Sequence, residues 1–319
     1  MRQQIQQNAA LPWTRYIGRL TVGGLNRYYL LDVPAGAREA VPMPVIFGLH
    51  GHDSTPWGFA AATKLSEVAS RGGIITVYPA AYKRIWNTRK VRRPALRRSI
   101  DDVHFIRKLL NHISDSLSID RLRVFATGWS EGGRFAFRLA CEMSEQIAAV
   151  SVVQSGLVAE YSPVRPVPVL MFHGTADTFH PYYGGQGTEP IVRGLIQASV
   201  PKTVQRLARL NGCAGPPEVT YRRGAAQAIT YTNLHNGVTV TLCTIEGMGH
   251  QWPGHTIPST TPGLPPWLRR LGPGTDDVDA TTMMVSFFLR HSISSSPERA
   301  VPGAVQRSAD PSDSGRWPS

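Results

Sequence analysis

A serine between two glycines has the setting that covalent chemistry requires. The pentapeptide Gly128-Trp129-Ser130-Glu131-Gly132 follows an apolar run of strand-forming residues and precedes an amphipathic segment. A Gly-X-Ser-X-Gly sequence between a strand and a helix is typical of a nucleophile elbow, in which a sharp turn exposes the serine hydroxyl to a base. The N–H of Glu131, at the start of that helix, would stabilise an oxyanion. Taken alone, the pentapeptide could also be an ordinary glycine-rich turn.

An acid and a histidine follow at the ends of two later predicted strands. Asp177 comes shortly after the apolar run 167–172, and His250 comes after the run 238–245. The order Ser, Asp, His, each at the carboxyl end of a strand, is that of the α/β-hydrolase triad. In this chemistry His250 takes the proton of Ser130 and later delivers it to the leaving group. Asp177 orients the imidazole and stabilises the imidazolium.

An oxyanion hole needs a second backbone N–H, which comes from a loop after an earlier strand. The segment His50-Gly51-His52 follows an apolar run, so we expect the N–H of His52 to act beside that of Glu131. The alternative is a pair of loop histidines without a chemical role. Trp252 follows the predicted base and could be a structural anchor. The residues predicted to line the substrate cleft here are His50, Trp129 and Trp252.

Other polar residues near the predicted site have simpler explanations. His180 follows Asp177 by a few residues and is expected to be a solvated loop histidine with no catalytic role. Three acids before the last predicted helix are rivals for the triad acid, but helix capping explains them better. These acids are Asp276, Asp277 and Asp279.

Apolar runs alternate with amphipathic segments along most of the chain. Continuous apolar runs are typical of parallel strands that are covered on both faces. The sequence therefore predicts an α/β-hydrolase fold with a mostly parallel central sheet, helices on both faces and no large cap domain. The predicted catalytic domain covers residues 14–291. It follows an N-terminal arm (1–13) and precedes a polar tail (292–319) that is expected to be disordered.

Two local patterns predict individual elements. Gly23-Gly24 lies between two runs of β-branched and aromatic residues, which predicts a hairpin. The stretch 191–210 predicts a helix that is broken around Pro201, because proline lacks the N–H that a helix interior needs.

The composition argues against several classes of function. The 319 residues include 34 basic ones, only five of them lysine, and the net charge is +12. A diffuse arginine excess without a nucleic-acid motif predicts no nucleic-acid partner. No run reaches the ~18 apolar residues of a membrane span, and no histidine or cysteine cluster has metal-ligand spacing. We therefore expect no metal, no cofactor and no membrane span.

The segment 83–98 is a strongly basic predicted loop. It lies at the carboxyl end of a strand, on the side where α/β sheets bind ligands. It could attract an anionic substrate, or it could be a solvated surface loop.

Six blocks of the sequence, in the same order, resemble the polyhydroxybutyrate-depolymerase-type esterases, a secreted group that also contains feruloyl and acetylxylan esterases of carbohydrate esterase family 1. The resemblance implies that Ser130, Asp177 and His250 are nucleophile, acid and base. It also implies that Trp86 lines the substrate cleft, although this indole could instead shield the sheet edge. It implies ester hydrolysis through an acyl-enzyme, on short-chain, polyhydroxyalkanoate, or hydroxycinnamoyl and acetyl polysaccharide esters. It also implies an extracellular location. We expect a monomer or homodimer, and the lack of a predicted cap favours an open cleft and a substrate that could be polymeric. The matching blocks are 49–51, 86–87, 101–106, 128–133, 173–177 and 247–254.

The sequence departs from this family at its elbow and at its start. Glu131 stands where the family commonly has asparagine, and its negative side chain would disfavour anionic substrates. The apolar stretch 9–13 is too short for the core of a secretory signal, so the alternatives are a cytoplasmic protein or a start that lacks a leader. A serine peptidase and a catalytically silent binding protein on the same fold are the other functions considered.

The cysteines also depart from the family pattern. Cys213 matches a family cysteine that is often paired, but Asn233 or Leu234 occupies the position of the partner. Cys243 lies farther along, so a Cys213–Cys243 bridge and two unbridged thiols are both open on spacing alone.

Overall fold

One large sheet organises the chain. The computed structural model describes residues 3–4, 11–37, 41–88, 100–157, 161–264 and 266–293. Within these residues, eleven strands join in the order β1-β2-β3-β5-β4-β6-β7-β8-β13-β12-β11. Their bounds are β1 Gln3–Gln4, β2 Trp13–Val22, β3 Leu25–Pro34, β4 Met43–Leu49, β5 Ile75–Pro79, β6 Ile119–Trp129, β7 Ala149–Val153, β8 Val169–Gly174, β11 Glu218–Arg223, β12 Ala226–Thr232 and β13 Thr239–Ile245.

The six central strands, from β5 to β13, run parallel to one another. Every residue of β4, β5, β7 and β8 is buried, as continuous apolar strands in a two-sided sheet should be. Antiparallel pairs extend both edges, and β2 and β3 form the hairpin predicted around Gly23-Gly24. The predicted mostly parallel sheet is confirmed.

Helices cover both faces of the sheet. One core layer contains α3, α4 and α5, and the opposite layer contains α1, α2 and α6. Successive residues of β4 supply the two layers in turn: Val45 and Phe47 face the first, and Ile46 faces the second. The helices are α1 Pro56–Thr63, α2 Leu65–Arg71, α3 Asp102–Ser114, α4 Glu131–Glu142, α5 Val200–Leu210 and α6 Ala280–Leu289.

The helix predicted over 191–210 is present only from Val200 to Leu210. Helix α5 begins only at Val200, where the Ser199 hydroxyl caps the N–H of Lys202 and Pro201 occupies the first turn. Proline is favoured there because the first N–H groups of a helix have no intrahelical partner. Pro201 therefore starts the helix instead of breaking it. The preceding residues form a 3₁₀ turn, Pro190–Val192, and a small hairpin of β9 (Gly185–Gln186) with β10 (Ile196–Gln197).

Several predictions concern segments at the limits of the described residues. Trp13, assigned to the arm, is the first residue of β2, and Gln3–Gln4 pairs with that strand. Most of the arm, residues 89–98 of the basic loop and the tail beyond 293 lie outside the described residues. Cys213 and Cys243 are buried and form no disulfide. No helix in the described ranges has the length and apolar character to cross a bilayer.

Candidate active site

The carboxyl ends of the parallel strands meet at one edge of the sheet, where a cavity of about 820 Å³ opens. Ser130 follows β6 directly, Asp177 follows β8 and His250 follows β13. Ser130 and His250 both line the cavity, and Asp177 is buried directly behind His250. The fold therefore brings together the three residues that the sequence singled out.

Ser130 lies in a strained turn. Its φ of 58° and ψ of −117° place a non-glycine residue in a region that costs free energy and clusters at functional sites. The flanking glycines make the turn possible, because a Cβ at Gly132 would overlap the Leu49 carbonyl and one at Gly128 would overlap Gly132. Helix α4 starts at the next residue, so the turn has the geometry of a nucleophile elbow.

Asp177 and His250 form a buried pair. His250 Nδ1 lies 2.7 Å from Asp177 Oδ2, and the backbone N–H groups of Phe179 and His180 each donate to Asp177 Oδ1 at 2.8 Å. Burial alone would raise the pKa of Asp177, but the charge and hydrogen bond of His250, with smaller effects of two other histidines, lower it to about 2. The ionised carboxylate fixes the Nδ1–H tautomer and leaves Nε2 as an acceptor.

The Ser130 hydroxyl does not hydrogen-bond His250 in this structure, although both residues are within the described ranges. Its Oγ lies 3.5 Å from Nε2 of a second histidine, His180. The His250 ring stacks on Phe179 at a centroid distance of 4.6 Å and on Trp129 at 6.1 Å. Nucleophile–base contacts are often long without substrate and shorten when the substrate binds.

The prediction that His180 is a solvated loop histidine is wrong. It is 2% exposed, and its Nδ1 contacts Arg134 Nη2 at 2.9 Å and the Gln197 carboxamide. Burial, followed by the charges of Arg134 and His250, lowers its pKa well below the usual value, so the ring is neutral. The only indication in the sequence that His180 belongs to the site was its position three residues after the predicted acid. The segment around it has no periodic pattern.

Of the four residues predicted to line the substrate cleft, Trp129 alone borders the cavity. His50, Trp86 and Trp252 lie behind the cavity wall. Trp86 is fully buried, stacks on Phe135 at 4.5 Å and donates its indole N–H to the His50 carbonyl at 2.8 Å. These indoles join the layers around the site instead of binding in the open cleft.

Two loops supply most of the apolar wall of the cavity. One runs from Asp177 to α5, and the other lies between His250 and α6. The sequence did not indicate either loop as a cavity wall, because residues 191–199 of the first loop were predicted to be helical and the second loop has no periodic pattern. Their apolar residues in the wall are Phe179, Ile191, Val192, Leu195, Ile257, Trp267 and Leu268.

The loop after β4 packs against the elbow. His52 Nδ1 lies 3.3 Å from Glu131 Oε1, and the backbone N–H of Trp86 donates to Glu131 Oε2 at 3.1 Å. Both His52 and Glu131 line the cavity beside Ser130. The two residues predicted to supply oxyanion N–H groups thus border the same cavity as the serine.

Gln154 connects the acid side of the site to the base side. This buried residue follows β7 with a φ of 50°. Its carboxamide accepts from the Gly174 N–H at 3.1 Å and donates to the Gly249 carbonyl at 2.6 Å. Gly174 ends the strand before Asp177, and Gly249 precedes His250, so one side chain sets the spacing of both loops.

The buried position of His50 predicts that the free energy of unfolding depends on pH. Its Nδ1–H donates to the Gly51 carbonyl at 2.8 Å, and its Nε2 accepts from the Ala81 N–H at 3.1 Å. Burial lowers its pKa from 6.5 to about 4. Between these values the unfolded chain binds a proton that the folded chain does not, so stability falls as the pH falls from about 6.5 towards 4.

We expect this histidine alone to reduce the free energy of unfolding by about 2 kcal/mol between pH 7.5 and pH 5. Urea titrations at the two pH values measure the loss, which should be smaller by that amount in His50→Gln. His104→Gln, a substitution of an exposed histidine on α3, is the control and should keep the wild-type pH dependence. Equal losses in all three proteins would contradict the expectation.

The parallel sheet, the elbow and the buried acid–histidine pair define an α/β-hydrolase. The chain is 31% identical over 258 residues to the putative esterase NocK of Nocardia uniformis subsp. tsuyamanensis, a match that covers 75% of this chain and 74% of NocK. The chain belongs to this family of esterases and is a serine carboxylic ester hydrolase.

More distant relatives are feruloyl esterases. Feruloyl esterase B of Piromyces equi is 26% identical, with coverage of 70% of this chain and 42% of the relative. Feruloyl esterase C of Emericella nidulans is 30% identical, with coverage of 50% and 58%. The chain thus spans about half the length of these two relatives. No family model matches the chain.

Solved structures agree with the fold. An acetyl xylan esterase from Aspergillus awamori superposes with a TM-score of 0.54 at 15% identity, covering 74% of this chain and 94% of that one. A ferulic acid esterase from Anaeromyces mucronatus gives a TM-score of 0.50 at 15% identity, covering 78% and 88%. At this identity the likeness concerns the fold alone.

Proposed function

We propose that Ser130, His250 and Asp177 hydrolyse a carboxylic ester through an acyl-enzyme. The observation that carries the proposal is the 2.7 Å pair of Asp177 with His250 on the cavity that the elbow serine lines. His250 Nε2 takes the hydroxyl proton while Oγ attacks the carbonyl carbon. The N–H groups of Glu131 and His52 then stabilise the oxyanion.

Collapse of the tetrahedral intermediate breaks the bond to the alcohol, which leaves with the proton from His250. Water then attacks the acyl-enzyme with His250 again as the base, releasing the acid and restoring Ser130. The buried charge of Asp177 stabilises the imidazolium in both halves of the reaction. No cofactor takes part in these steps.

For the substrate, we propose short-chain, polyhydroxyalkanoate or hydroxycinnamoyl and acetyl polysaccharide esters. The names of the relatives support this class, and the apolar wall with Phe179, Ile257 and Trp267 suits an aromatic or aliphatic acyl group. The described residues form no large cap over the cavity, and this openness supports a polymeric substrate. The family resemblance supports an extracellular location, and the oligomeric state we propose is a monomer or homodimer.

A panel of esters tests the proposal. We expect hydrolysis of 4-nitrophenyl acetate, methyl ferulate or a hydroxybutyrate oligomer, and no cleavage of matched peptide amides. Circular dichroism establishes that the protein tested is folded. Cleavage of peptides without ester hydrolysis would favour a peptidase, and inactivity on every ester and peptide would favour a binding protein.

A further inference from the structure

Arg134 is a buried cation in the wall of the active-site cavity. It lies in the first turns of α4, four residues after Ser130, and only 8% of its surface is exposed. A buried charge normally requires an opposite charge nearby, because the loss of hydration is expensive. Its surroundings therefore show whether the protein itself supplies that counter-charge.

The hydrogen-bond partners of Arg134 are neutral, and the carboxylates of Glu131 and Asp177 act on it only through their charge. Only its Nη2 donates, to the His180 ring at 2.9 Å and to Gln197 Oε1 at 3.3 Å. Its Nε and Nη1 have no acceptor among the described residues, and no carboxylate there lies within 4.0 Å of the guanidinium. His180 is neutral, as its lowered pKa indicates. The protein leaves most of this donor capacity unused.

The acidic residues that line the cavity already have other partners. Asp102 pairs with Arg27 at 2.8 Å, and Glu131 contacts His52 and the Trp86 N–H. Glu131, expected to disfavour anionic substrates, is held by these contacts, and its charge also acts on Arg134. Lys83, exposed in the same wall, adds a second cation with no carboxylate in salt-bridge range among the described residues.

The position of Arg134 fits the acyl side of an ester. Arg134 Nη2 is 3.4 Å from His180 Nε2, which is 3.5 Å from Ser130 Oγ. The guanidinium is therefore at most two hydrogen-bond lengths from the nucleophile, a span that about two methylene groups bridge. The acyl group remains bonded to Ser130 Oγ after the alcohol has left. It is therefore the part of the substrate that stays within reach of Arg134.

We propose that Arg134 binds a carboxylate in the acyl group, so that the preferred substrates are monoesters of short dicarboxylic acids. The inference rests on the ester hydrolysis proposed above. Water cleaves the acyl–oxygen bond and gives the free dicarboxylate and the alcohol. A guanidinium suits this task because it is always charged and can donate two parallel hydrogen bonds to a carboxylate.

Two esters of matched shape test the inference. Monoethyl succinate carries a carboxylate, and ethyl 4-oxopentanoate carries a methyl ketone at the same position. Hydrolysis is followed in a pH-stat at pH 8, where the succinate carboxylate is ionised. We expect wild-type kcat/KM to be about 10- to 100-fold higher for the succinate ester.

Variants identify the residue responsible. Arg134→Met should remove the preference, lowering kcat/KM for the succinate ester about 10- to 100-fold with a much smaller change for the ketone. Arg134→Lys should retain part of it. Arg138→Met is the matched control, because Arg138 is equally buried on α4 but pairs with Glu142 at 2.8 Å and does not line the cavity. It should leave the ratio between the two esters unchanged.

The outcomes separate this inference from the esterase function. Hydrolysis of the ketone ester with equal or lower activity on the succinate ester would overturn the role of Arg134 and leave the esterase function intact. Equal losses for both esters in Arg134→Met would also overturn it. Failure of the folded wild type to hydrolyse either ester or 4-nitrophenyl acetate would overturn both proposals.

Discussion

Replacing Ser130 with alanine is expected to lower kcat for ester hydrolysis about 10⁴- to 10⁶-fold. The strained elbow exists to present this hydroxyl, and alanine has no atom that can form the acyl-enzyme. The same substitution should abolish covalent labelling by a fluorophosphonate, which peptide mass spectrometry should locate at Ser130 in the wild type. Labelling and turnover are measured on the same protein preparations.

A neighbouring serine provides the control. Ser155 is buried beside α4, and its hydroxyl has no hydrogen-bond partner within the structure as described. Ser155→Ala should therefore keep both labelling and turnover. Label on any residue other than Ser130, or a Ser130→Ala protein with more than a trace of activity, would refute the proposed nucleophile.

Asp177→Asn is expected to lower kcat about 10⁴-fold with little change in the fold. The N–H groups of Phe179 and His180 would hold the asparagine oxygen where Oδ1 lies now. The new NH₂ would then face His250 Nδ1, which must become an acceptor. The imidazole proton moves to Nε2, and His250 can no longer take the proton of Ser130.

The rival acid Asp279 is the comparison for this variant. Its side chain caps α6 by accepting the Thr282 N–H at 2.7 Å. Asp279→Asn should therefore preserve kcat and at most lower the melting temperature slightly, since asparagine is also a good cap. Steady-state kinetics and thermal unfolding of both variants distinguish the two roles. A normal rate in Asp177→Asn would contradict the proposed triad.

The sequence was informative where short motifs adjoin strands. Ser130, Asp177 and His250 could be placed because each follows an apolar run that the sheet buries. His180 and Arg134 could not, because their importance comes from a contact between a loop and a helix far apart in the chain. Trp86 was assigned to the cleft from its position in the family resemblance, but an indole also satisfies its N–H inside the layers, as it does with the His50 carbonyl.

The hydrogen bonds of the Gln154 carboxamide bear on how this site can change in evolution. Because the carboxamide ties the strand end before the acid to the residue before the base, those two positions move together relative to the elbow. The outer parts of the same loops, which carry the cavity wall, are not held by it. Substrate preference can therefore drift through loop substitutions while the proton-transfer geometry is inherited unchanged.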